Sequence, residues 1–161
     1  MILLLLLQEA VVNREFEAWK ALKPGTRVTF SGSAKINGQS LEGANVEKTT
    51  TLLRVTPAEV VVEETSSIGS PPTETILTAV PEKGNPAERE TSRGKEALKI
   101  GTRTYPCEWI ERTLVAGAGK IVDKVWYCPD VPGGVVKRLR RVEDPEAARE
   151  LTDILKDWES K

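Results

Sequence analysis

Residues 107–128, CEWIERTLVAGAGKIVDKVWYC, fold back on themselves about Gly117-Ala118 in one self-consistent register, and that hairpin constrains the chain more than any other feature. Glycine at the first position of a two-residue loop suits a type II′ turn, whose twist matches that of antiparallel strands. The pairing then sets Arg112 opposite Asp123, Glu111 opposite Lys124, Ile110 opposite Val125 and Trp109 opposite Trp126. Opposite charges and aromatic pairs facing one another stabilise a ladder. A slip of one residue would turn one strand over and destroy every match.

The same register ends with Cys107 opposite Cys128, the two cysteines of the chain. Counting outward from a hydrogen-bonded Ala116/Gly119 pair, they fall at a non-hydrogen-bonded position, where Cα atoms approach to about 4.5 Å and a disulfide can form. Pro106 and Pro129 come next and cannot donate, so regular pairing should stop or bulge there. A disulfide is the preferred reading, with unpaired structural thiols as the alternative. A metal site needs about four ligands, and the chain has no histidine to supply them. A reactive cysteine wants an electropositive or helix-end setting, which a mid-sheet position beside tryptophan does not provide. No metal and no cofactor are expected.

A disulfide implies an oxidising compartment. Residues 1–8 agree in part: Ile2–Leu7 is an apolar run, without a basic n-region or a clear small-x-small cleavage site. It reads as a truncated or very short signal peptide, or else as the first turns of a buried helix. It is too short to span a bilayer, and no transmembrane segment is expected. The two clues together predict export to a periplasm or the cell exterior.

Residues 9–161 read as a single β-rich domain with terminal helices, long enough to bury one core. A formal net charge of −1, with both signs dispersed, gives no global pull toward nucleic acid. Phe16, Trp19 and Leu22 at helical spacing predict a helix over 13–22, ended by Lys23-Pro24-Gly25. TRVTFSGSA then reads as a strand, and Asn37-Gly38 as a hairpin turn into 44–55. TPAE turns the chain back into EVVVEET, and ETILTAV follows a loop. EKGNPAERETSRG reads as a long polar loop, and Gly101-Thr102 as a further hairpin leading to the cysteine hairpin. GGVVKRLRRV is the last strand. About eight strands in up-and-down order predict an antiparallel meander curved into a half-barrel.

The chain closes with EDPEAARELTDILKDWESK. Asp144 as N-cap, Pro145 at N1 and Glu146 in the first turn predict a C-terminal helix. Ala147, Leu151, Ile154, Leu155 and Trp158 would form its apolar stripe, packed on the sheet.

Chemistry-bearing motifs are few. Pro132-Gly133-Gly134 lacks the Lys-Ser/Thr of a phosphate loop and precedes a strand, so it reads as a turn. KRLRR at 137–141 is the one basic cluster; it suits a charged edge strand that resists aggregation better than a contact for phospholipid headgroups or an acidic partner. No carboxylate pair stands out, histidine is absent, and an enzyme is not expected. In the cysteine hairpin both faces carry apolar residues: Trp109, Val122 and Trp126 on one, Ile110, Leu114, Ile121 and Val125 on the other. Either both faces are covered or one lines a hydrophobic concavity.

GTRTYPCEW, followed by a strand pair and KVWYCPDVPGGVVK, is similar to uncharacterised exported bacterial proteins whose pattern resembles the lipoprotein-carrier family, an unclosed β-barrel capped by a helix. The resemblance covers roughly residues 94–140 by motif and the rest by strand order. It implies an apolar ligand, a lipid or acyl chain, in the concave face, for which Trp109, Trp126 and Val122 are the candidate contacts. The other expectation is a structural or protein-interaction domain of the cell envelope, with a filled core and an envelope protein as partner.

Overall fold

A computed structural model describes residues 13–80 and 88–161; the expected signal segment 1–8 and the start of the expected polar loop lie outside the described residues. The described residues form one helix, α1 (Arg14–Lys20), and ten strands: β1 (Arg27–Ile36), β2 (Gln39–Ser40), β3 (Val46–Val55), β4 (Glu59–Ser66), β5 (Thr73–Thr78), β6 (Glu88–Ile100), β7 (Arg103–Ala116), β8 (Gly119–Tyr127), β9 (Val135–Glu143) and β10 (Arg149–Glu159). All pair antiparallel in one half-barrel sheet of order β5-β4-β3-β1-β10-β9-β8-β7-β6, with β2 pairing β1 alone. The mainly β fold and curved antiparallel sheet agree with the sequence. The main path holds nine strands against the expected eight.

The meander runs outward in two arms. β1, β3, β4 and β5 build one, β6 to β10 the other, and the pairing of β1 with β10 joins the arms at the centre. This joint overturns the expected C-terminal helix. Residues 149–159 are a central strand, hydrogen-bonded to β1 on one side and β9 on the other. The spacing that reads as helical has a different cause. The register shifts between Thr29 and Phe30, so that Phe30 faces Leu155 while Thr29 faces Asp157. Lys156 is the extra residue of a β-bulge. Leu155 and Trp158, three apart, would point to opposite faces of a regular strand; the bulge turns both to the core. The capping signal is also real but local. Asp144 Oδ1 accepts from the Glu146 N–H at 2.9 Å, closing a turn between β9 and β10 where no helix follows.

Two further expectations change. Residues 88–94 belong to β6, not to a loop. β6 is an outermost strand, and its charged, half-solvated sequence suits an edge that must not pair further. KRLRR lies in β9, between β8 and β10, so it is an interior strand and not an edge. Its three arginines are paired within the fold: Arg138 bonds Glu15 at 2.7 Å, Arg140 clamps Asp123 at 2.7 and 2.8 Å, and Arg141 reaches Glu150 at 3.1 Å.

The cysteine hairpin has the expected register from Ala116↔Gly119 to Glu108↔Tyr127. Gly117 at φ 60° opens its turn. Asn37 and Gly38, at φ 49° and 80°, make the left-handed turn expected of that dipeptide.

Helix α1 starts at Asn13, whose side chain accepts from the Phe16 N–H at 3.2 Å. It lies against β3, β4 and β5. Phe16 and Trp19, each 2% exposed, join Val28, Leu52, Val60, Val62 and Leu155 in the core. Burying a side chain of this kind contributes roughly 2–3 kcal/mol. The β8–β9 turn closes over the helix: Gly133 packs on Trp19 and Gly134 on Ala18.

Candidate functional site

Interleaved along α1 and the turn that follows it, two sets of residues look in different directions. Phe16 and Trp19 enter the core. Arg14, Glu17, Ala18, Ala21 and Leu22 line a cavity of about 930 Å³ on the side of β6, β7 and β8. β6 supplies Lys95, Glu96 and Ala97, and the β7 segment 106–108 supplies Pro106, Cys107 and Glu108. Tyr127, Cys128, Pro129 and Gly134 complete the wall. Eight of the fifteen lining residues are alanine, proline, cysteine or leucine, and five are charged. The volume lies in the range of small-molecule sites, which are typically apolar with a few placed polar groups.

Two charged groups of the wall, one on α1 and one on β7, pair with each other across the edge of the cavity. Arg14 Nη1 bonds Glu108 Oε2 at 2.9 Å, tying the helix to β7. The Arg14 guanidinium also lies over the Tyr127 ring, 5.3 Å from its centre. The hydrogen bond from Arg14 holds the Glu108 carboxyl below the ordinary carboxylate value, and the charges of Arg14, Arg93 and Lys95 add to that effect against partial burial. Glu17 is paired with Lys20, and Glu96 accepts from the Trp126 indole N–H at 2.8 Å. Burial pushes the Tyr127 hydroxyl pKa up.

The expected disulfide is absent: Cys107 and Cys128 are buried free thiols. The β7–β8 ladder ends at Glu108↔Tyr127, one pair short of them. Beyond it the Cys128 N–H donates to the Gly134 carbonyl at 2.7 Å, so Cys128 belongs to the turn into β9. Its thiol approaches Asp130 at 4.0 Å, whereas the Cys107 thiol donates to the Tyr105 carbonyl at 3.4 Å. Burial first, and the neighbouring Cys128 second, raise the Cys107 pKa from 9.0 to about 11; burial also raises that of Cys128. These are poor nucleophiles at neutral pH.

Trp109 and Trp126 face one another as expected, but neither they nor Val122 line the cavity. Trp126 and Val122 are buried. The Lys124 ammonium stacks 3.8 Å from the Trp109 ring centre and 4.8 Å from that of Trp126, with Lys137 4.7 Å from Trp126. The alternation along β7 and β8 puts this stack on one face and Glu108 and Tyr127, which do line the cavity, on the other. A second, smaller cavity of about 150 Å³ lies between α1 and β1, β3, β4 and β5, with the Lys48–Asp153 and Arg138–Glu15 pairs in its wall. Comparison with known proteins finds no matching family model, no matching curated protein and no matching solved structure.

Of the cavity's residues, the sequence marked only the cysteines as a site, and as a disulfide; Leu22, Pro106, Pro129 and Gly134 stood out only as helix, ladder-end and turn positions. Ala18, Ala21 and Leu22, at helical spacing through the end of α1 and the turn after it, mark a second apolar face. That was the available signal.

Proposed function

We propose that this protein holds an apolar ligand, a lipid or acyl chain, in the cavity between α1 and strands β6 to β8. The observation that carries this reading is the 930 Å³ volume left beside a helix that fills only part of the sheet's face. A structural domain with a filled core needs no such space. The half-barrel sheet with a helix on its face supplies the concave surface that the reading requires. Export is part of the proposal. Its support is the apolar run Ile2–Leu7, since the free thiols no longer add to it.

Titration with a fluorescent fatty-acid probe tests the reading. Saturable binding near one probe per chain is expected. Ala21→Trp, which places an indole in the cavity, should abolish it while leaving the melting curve near wild type. Trp126→Ala should leave probe affinity within about twofold, because Trp126 is not in the wall. No saturable response from folded wild-type protein would overturn the proposal.

A second reading, an envelope interaction domain, draws on Ile68, Ile76 and Val80, which are 67%, 59% and 74% exposed in and beside the outermost strand β5. Isolated exposed apolar residues are common. The cavity therefore carries the greater weight.

A further inference from the structure

The strands of the cavity wall present their lining residues in rows. Ala97 of β6 faces Pro106 of β7, and Pro129 follows β8 at the same end. All three are exposed, as is Ala21 after α1, so this row is the mouth. Two residues further in, Glu108 faces Lys95 on one side and Tyr127 on the other. Lys95, on the outermost strand, is exposed, whereas Glu108 and Tyr127 are half-buried. There Arg14 reaches across from α1, bonds Glu108 at 2.9 Å and lays its guanidinium over the Tyr127 ring. The lining stops at that row. Alternation puts Ile110 and Val125, two residues beyond Glu108 and Tyr127, on the same face of the sheet. They pair with each other, and Ile110 is 6% exposed, yet neither lines the cavity. Apolar wall therefore continues behind the ion pair.

We infer that the Arg14–Glu108 pair is the inner end wall of the cavity and sets the longest chain it takes. The inference rests on the proposed reading of the cavity as an acyl-chain site. A chain entering between Pro106 and Pro129 runs past Ala18 and the two cysteines and stops at the pair, its polar end left in water at the mouth. Each methylene buried before that point raises affinity about fourfold. The next one would have to part a hydrogen-bonded ion pair and set both charges against hydrocarbon, a cost that one more buried methylene does not offset.

Displacement of a fluorescent fatty-acid probe from the full chain by saturated fatty acids, octanoate to octadecanoate, measures the limit. Wild-type affinity should rise about fourfold per methylene and then level off at a definite length. Arg14→Ala should move that break to longer chains. Glu108→Ala, which removes the same wall from the other side, should move it likewise. In both variants the longer acids should shift the amide signals of Ile110 and Val125, which stay unmoved in wild type. A pair that served stability alone would change the melting curve and leave the break and these signals where they are. Wild-type affinity that climbs through octadecanoate without a break would overturn the end wall and leave the acyl-chain reading standing. A break at the same length in wild type and in either folded variant would overturn the assignment to this pair. No binding of the probe or of any acid would overturn both readings together.

Discussion

Gly133 lies so close beneath the indole of Trp19 that a Cβ built on it would sit 2.6 Å from Trp19 Nε1. Its φ of 73° is also one that side chains rarely adopt. Both restrictions act at the point where the β8–β9 turn clamps α1 to the sheet. Gly133→Ala is therefore expected to destabilise the protein by about 2–4 kcal/mol, combining overpacking with backbone strain. Chemical denaturation followed by tryptophan fluorescence measures it. A change below about 0.5 kcal/mol would mean the turn does not seat on the helix.

The Arg14–Glu108 bond fixes the other side of the helix, and its effect has a definite sign with pH. A carboxyl held below its ordinary value of 4.5 by Arg14 stabilises the fold above that pH, and the contribution is lost as pH falls through the lower, folded value. Arg14→Gln should move the Glu108 midpoint up toward 4.5 and flatten the acid limb of the stability curve. Carboxyl carbon chemical shifts across pH 2–6 read this directly. The pair is partly exposed, so the stability change should be small.

The thiols predict the opposite limb. Cys107 titrates near 11 in the folded chain against 9.0 ordinarily, so burial of the protonated thiol favours the fold below pH 9. That contribution disappears as pH rises through about 11. Stability should fall between pH 9 and 11, less steeply in Cys107→Ala. At pH 8, both thiols of the native protein should react with iodoacetamide far more slowly than in the unfolded chain. Fast labelling of either would contradict the buried, high-pKa environment.

What the sequence shows and hides follows from the range of the interactions involved. The 108–127 hairpin was legible because its turn, charge pairs and tryptophan pair are all local and agree with one another. α1 was legible from Phe16, Trp19 and Leu22 at helical spacing for the same reason. Residues 149–159 were not, because a bulge at Lys156 mimics helical spacing and the strand's partners, β1 and β9, include one more than 100 residues away. Local signals cannot see that pairing, and tertiary context overrides propensity. The cavity was hidden likewise: Ala21, Ala97 and Cys128 come together only when both arms of the sheet are in place.

Because β10 is central, truncation after Ala148 should have a severe effect. Removing a helix laid on a sheet would trim the fold; removing this strand leaves β1 and β9 without their shared partner. The truncated chain should show loss of the near-ultraviolet circular dichroism signal and of cooperative melting. A folded, cooperatively melting product would contradict the central position of residues 149–159.

The central claim is that the space between α1 and β6–β8 is a ligand site. Amide chemical-shift mapping of the labelled protein during titration with dodecanoate tests it most directly. The predicted result is a saturable set of shifts confined to Ala18, Ala21, Lys95, Ala97, Cys107 and Cys128 and their neighbours, with Ile76 and Val142 unmoved. Saturable shifts clustered elsewhere, or no shifts at these residues at saturating dodecanoate, would contradict it.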